Sequence, residues 1–98
     1  MEHEDLHVKS REASAFLKLV ANPNRLMILC TLQDRQVNVT ELAAQTGMPQ
    51  AAMSTQLALL REAGLVNCHI QHRQRFYYIA DPRVSQLISL LHGLFCAE

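Results

Sequence analysis

The sequence predicts a mainly α-helical domain with one small β-hairpin, in the order helix, helix, helix, helix, strand, strand, helix. Three observations carry that reading. Two short helical segments meet at Gly47-Met48-Pro49, a tight turn containing glycine. Immediately after Gly64 the apolar pattern changes to β-branched and aromatic runs. A last stripe of Val84, Leu87, Ile88, Leu91, Leu94 and Phe95 then returns to i, i+3, i+4, i+7 spacing. That order is the order of a winged helix-turn-helix.

Each element has its own signal. A first helix is expected from about residue 7 to 20, with Ala13, Phe16, Leu17 and Val20 at helical spacing. Asn22-Pro23 starts the second: asparagine caps it, and proline lacks only an N–H that the first turn would leave unpaired. Leu26, Leu29, Cys30 and Leu32 are its apolar positions, and the pattern loosens near Asp34. Asn38-Val39-Thr40-Glu41 matches a capping box for the third helix, which stops at Gly47. The fourth runs from about 50 to 63. Leu65–Ile70 and Arg75–Ile79 form the hairpin, and Gln71-His72-Arg73-Gln74 predicts a longer loop because no Asn-Gly is present. Asp81-Pro82 repeats the cap-plus-proline start for the last helix.

Ninety-eight residues make one domain, 1–98, with residues 1–8 a candidate flexible lead. A chain this short buries only about 60–65% of its unfolded surface, so a second chain sharing apolar surface would help it. Apolar residues make up 49% and charged residues 18%, too apolar a balance for disorder. No apolar run approaches the roughly 18 residues of a membrane span. The acidic Met1-Glu2-His3-Glu4-Asp5 start is unlike a secretory signal, so a cytoplasmic protein without a membrane partner is expected. Three cysteines, an odd number, argue against a disulfide framework. Nothing in the sequence calls for a cofactor.

Net charge is zero, which taken alone counts against nucleic-acid binding. The distribution counts for it. Residues 50–83 hold Arg61, Arg73, Arg75 and Arg83 against Glu62 and Asp81, with His69 and His72 nearby. On a helical wheel Pro49, Met53, Leu57 and Leu60 share a core-facing arc, and Ala51, Ser54, Thr55, Ala58 and Glu62 fall opposite. Small and hydrogen-bonding residues on that face, with Gln50 at its edge, suit a helix lying in a DNA major groove. Ala51 is placed to meet a thymine methyl, and Gln50 or Thr55 a base edge. Gln56 falls nearer the core and is assigned a phosphate contact or an internal hydrogen bond. Arg73 and Arg75 with His72 at the hairpin suit phosphates or a minor groove. The plainer alternatives are a solvated helix face and an ordinary basic loop.

Several segments resemble the ArsR family of winged-helix repressors over about residues 12–96. They are Leu19-Val20-Ala21-Asn22-Pro23-Asn24-Arg25-Leu26, Thr40-Glu41-Leu42-Ala43, Ser54-Thr55-Gln56-Leu57-Ala58-Leu59-Leu60-Arg61-Glu62-Ala63-Gly64-Leu65-Val66 and Phe76-Tyr77-Tyr78. The resemblance implies a homodimer joined by its first and last helices that binds an imperfect palindrome in double-stranded DNA and represses transcription. Pro49 departs from the serine cap frequent in the family.

The family's usual metal sites are missing. Glu41–Gln45 holds no thiol, Asp81 is followed by Pro82-Arg83, and Leu94 stands where a second histidine would fall. Cys30 and Cys96 instead resemble the dithiol branch, which senses persulfides and polysulfides with two helices side by side in one subunit. The alternative is a metal- or arsenite-responsive repressor using Cys30, His92 and Cys96, since His92 precedes Cys96 by four residues. Each cysteine taken singly reads more simply as a small hydrophobe, and Cys68, alternating with Val66 and Ile70, is assigned to packing. An enzyme would want a Cys-x-x-Cys or a catalytic cysteine with a partnered base, and neither is visible. A non-enzymatic role is expected.

Overall fold

The computed structural model describes residues 3–96. Its elements are α1 (His3–Val20), α2 (Pro23–Leu32), β1 (Val37–Asn38), α3 (Val39–Thr46), α4 (Gln50–Glu62), β2 (Val66–Gln71), β3 (Gln74–Ile79) and α5 (Pro82–Phe95). The predicted order is present with one addition. Val37 and Asn38 pair with Tyr77 and Phe76, giving a three-stranded antiparallel sheet ordered β1-β3-β2. A two-residue strand is too short to show alternation, so the sequence pattern cannot announce it. α1 begins ahead of the expected residue 7 and takes in residues 3–8 of the lead expected to be flexible. The start of that lead, residues 1 and 2, lies outside the described residues.

The helix starts follow from their caps. Asn22 Oδ1 accepts the Arg25 backbone N–H at 3.1 Å, and Asn38 Oδ1 accepts that of Glu41 at 2.8 Å. The expected capping box is only half formed. Glu41 accepts the side-chain amide of Gln45 at 2.8 Å, one turn along, instead of reaching back to Asn38. Gly47 ends α3 in the left-handed region at φ +73°, its N–H bonded to the Ala43 carbonyl at 2.9 Å. Pro49 is exposed, not on the core-facing arc assigned to it. It is the N-cap of α4, with extended ψ of 146°, so a helical wheel does not apply to it.

The hairpin also corrects an expectation. Gln71 pairs with Gln74, leaving His72 and Arg73 as a two-residue turn. Both have positive φ, +52° and +68°, as a type I′ turn requires. The twist of the strands sets this geometry, and His and Arg adopt it although Asn-Gly would do so with less strain.

One core holds the elements together. Val20, Ile28, Leu29, Leu32, Leu42, Met53, Leu57, Leu60, Val66, Tyr77, Val84 and Ile88 are all buried in it. Two helices are poorly covered by it. Leu6, Val8 and Leu17 of α1 are exposed, as are Leu90, Leu94 and Phe95 of α5, the last at 80%. Among the described residues, no helix is long and apolar enough to cross a membrane.

Candidate nucleic-acid interface and thiol site

α4 presents the face that its sequence predicts. Met53, Leu57 and Leu60 are fully buried, while Ala51, Ser54, Thr55, Ala58 and Glu62 are exposed. Gln50 donates to Thr40 Oγ1 at 3.2 Å, tying the start of α4 to α3. Thr55 Oγ1 donates to the Ala51 carbonyl at 3.1 Å, one turn back. Ser54, Ala58, Arg61 and Glu62 line a groove with Arg75 and Tyr77 of β3. Arg75 therefore extends the α4 face, whereas His72 and Arg73 stand apart at the hairpin tip. His69 is half-buried and stacks on Phe76, ring centres 5.9 Å apart, so it belongs to the sheet more than to the tip.

Gln56 takes the internal role. Its Oε1 accepts Arg25 Nη1 at 3.2 Å. The same guanidinium donates through Nε to the Leu19 carbonyl at 2.6 Å and through Nη2 to that of Lys18 at 3.3 Å. Those are last-turn carbonyls of α1, which an α-helix leaves without intrahelical partners. One arginine thus fastens the end of α1 to the middle of α4. Sequence reasoning passed over Arg25; its position one turn after the Asn22 cap was the available signal.

Sixty-six positions apart in sequence, Cys30 and Cys96 meet in space. With Leu26 of α2 and Leu91, His92 and Phe95 of α5 they line an apolar cleft of about 270 Å³. Both thiols are exposed; partial desolvation still raises the pKa of the Cys30 thiol, and the neighbouring Cys96 raises it further. Gln33, the C-cap of α2, keeps the helices together: its Nε2 donates to the Ser85 carbonyl and to Ser89 Oγ, both at 3.0 Å. Cys68 is half-buried and packs against the core.

The metal alternative is not assembled. Among the described residues, no three His, Cys, Asp or Glu side chains are grouped so as to hold an ion. Cys96, the C-cap of α5, keeps the i, i+4 relation to His92: its N–H donates to the His92 carbonyl at 2.8 Å, and both residues line the cleft with Cys30.

Residues 22–67 match the family described as bacterial regulatory protein, arsR family. The biofilm growth-associated repressor of Xylella fastidiosa is 37% identical over 98 residues, all of this chain and 86% of that protein. The transcriptional activator HlyU of Vibrio cholerae is 38% identical over 96 residues, 98% of this chain and 89% of the relative. The crystal structure of HlyU from Vibrio vulnificus superposes with a TM-score of 0.93 at 38% identity, over 98% of this chain and 100% of that one. Sequence, fold and these likenesses agree, and the chain belongs to the ArsR family of bacterial regulatory proteins.

Proposed function

We propose that this chain is a homodimeric, cytoplasmic DNA-binding repressor that releases its operator when reactive sulfur species oxidise Cys30 and Cys96. The observation that carries the reading is the cleft where the two thiols, from α2 and α5, meet. The exposed apolar residues of α1 and α5 supply the dimer surface. Ala51, Ser54, Thr55 and Gln50 supply base contacts from α4, and Arg61, His72, Arg73 and Arg75 hold phosphates on either side. Gln56 contributes through Arg25 instead of touching DNA.

The chemistry is a two-step exchange. A cysteine thiolate attacks a sulfane sulfur, expelling the rest of the polysulfide as a thiolate, and becomes a persulfide. The second thiolate attacks the protein-bound sulfur, closing Cys30–Cys96 and expelling hydrosulfide, so the dithiol loses two electrons and the sulfane sulfur gains them. The bridge draws α2 toward the end of α5, and the Arg25 link passes that shift to α4. Coupling of this kind is typically about 1–3 kcal/mol, or about 5- to 150-fold in affinity.

The test is DNA binding by the reduced protein, on DNA from its own promoter region at fixed salt, before and after polysulfide. Loss of affinity, restored by dithiothreitol, is expected. Cys30→Ser and Cys96→Ser should bind DNA and ignore polysulfide. A full response in either variant would refute the dithiol mechanism.

A further inference from the structure

The short strand β1 ends before the sheet does. Its last pair is Asn38 with Phe76, and the chain then turns into α3 at Val39. Continued in the same antiparallel register, the next partners would be Val39 with Arg75 and Thr40 with Gln74. The helix takes those residues away, so from Arg75 to the His72-Arg73 turn the sheet is two strands wide. Ile70 to Arg75 are all exposed and lie outside the core. A two-stranded ribbon of that kind is marginal in water. Yet this one carries the arginines assigned to phosphate.

One side chain continues the pairing where the backbone of β1 stops. Asn38 Oδ1 accepts the Glu41 N–H at 2.8 Å and so caps α3, while Asn38 Nδ2 donates to Gln74 Oε1 at 2.9 Å. Gln74 opens β3 between Arg73 and Arg75. Among the good capping residues, asparagine alone offers both a carbonyl acceptor and an amide donor; aspartate has no donor, and serine and threonine reach less far. Two residues along, Thr40 Oγ1 accepts Gln50 Nε2 at 3.2 Å. The entry to α3 therefore holds the hairpin through one side chain and the start of α4 through another.

We propose that Asn38 and Gln74 are positioning residues for DNA binding: their bridge fixes the hairpin arginines at a set distance from the exposed face of α4. The inference rests on reading α4 and the hairpin as a DNA interface, and assigns the spacing between them to a side-chain link. Without the link, binding must also order the hairpin tip, and affinity falls by that cost.

Asn38→Ser keeps a capping oxygen but is too short to reach Gln74. Gln74→Thr keeps a strand-favouring residue and withdraws the acceptor. These variants and their combination are compared with the wild type as full-length reduced proteins. Backbone amide NMR order parameters report the tip without DNA, and a salt series reports affinity for DNA from the protein's own promoter region. Each single variant should lower the order parameters at His72 and Arg73 and weaken DNA binding by about three- to tenfold, the scale of one hydrogen bond. The salt slope should flatten by about one unit as an arginine contact is lost. The double variant should bind no more weakly than either single one. Gln74→Glu, which keeps an acceptor of the same length, should keep the tip ordered. Unchanged order in both single variants overturns the bridge. A mobile tip with wild-type affinity and slope, or losses that add in the double variant, overturns its part in DNA binding. A wild type that does not bind promoter DNA overturns the interface reading and this proposal with it.

Discussion

Replacing Gln56 by methionine separates two roles that the sequence left together. The side chain keeps its length and its helix propensity but loses the oxygen that accepts Arg25 Nη1 at 3.2 Å. A hydrogen bond to a charged group contributes about 1.5–3 kcal/mol net, and this half-exposed one belongs at the lower end, about 1.5 kcal/mol. Arg25→Met removes that bond and the two to the α1 carbonyls, for about 4.5 kcal/mol in total at the same value each. The double variant should be less destabilised than the sum, with about 1 kcal/mol of coupling between neighbours. Urea unfolding of the four proteins at one chain concentration measures this, since stability of a dimer depends on concentration. DNA binding supplies the second readout. As a positioning residue, Gln56 should lose affinity together with Arg25, and the double variant should lose little more. If Gln56→Met were as stable as the wild type and its effect on DNA binding simply added to that of Arg25→Met, the link would be refuted and Gln56 returned to the DNA face.

Two further outcomes are expected from local geometry. His72→Asn with Arg73→Gly should stabilise the protein by about 1–2 kcal/mol, because both positions are left-handed, while weakening DNA binding and flattening its salt dependence by about one unit; a stability gain with unchanged salt slope would remove the hairpin tip from the interface. Arg83 donates to the Asp81 carboxylate at 2.7 Å and holds its pKa below the ordinary carboxylate value. The folded pKa is therefore the lower one. Its contribution is present above the unfolded pKa of about 4 and is lost as pH falls through the folded pKa. Asp81→Asn keeps a capping side chain but should flatten the acid limb of urea stability below about pH 4, and an unchanged limb would refute the assignment.

The legible parts of the fold were those written in local chemistry. Asn22, Asn38 and Asp81 cap helices through their own side chains, and Met53, Leu57 and Leu60 turn inward at helical spacing, so each could be read within a few residues. What escaped depends on distant partners. β1 is a strand only because β3 lies alongside, and the His72-Arg73 turn is tight only because the register of β2 on β3 leaves two residues to close it. Glu41 looked like a capping-box partner until Gln45 competed for it. Arg25 stood inside a family-like segment, but its role did not show there, since its three acceptors lie on α1 and α4. The thiol pair was legible through family resemblance alone: nothing in spacing brings residue 30 to residue 96.

The sensing and dimer roles proposed here share the last turn of α5, and that turn contains a glycine. Leu91, His92, Phe95 and Cys96 line the thiol cleft, while Leu94 and Phe95 remain 66% and 80% exposed in the single chain. In the proposed switch, a bridge from Cys30 to Cys96 acts on residues that a second copy would cover. Gly93 lowers the resistance to that movement, since glycine inside a helix costs about 1 kcal/mol relative to alanine. Among the described residues nothing demands glycine there: φ is not left-handed, and an added Cβ meets no atom within 4 Å. Its use is then to keep the last turn easy to rearrange. Gly93→Ala should stabilise the reduced protein by up to about 1 kcal/mol and leave its DNA affinity intact. The ratio of reduced to oxidised affinity should fall by about fivefold, the equivalent of that same 1 kcal/mol held back from the switch. Titrating operator DNA with both redox forms gives the ratio directly. An alanine variant that gains stability yet switches as widely as the wild type would show that the last turn of α5 moves as a rigid piece and that the shift is absorbed in α2.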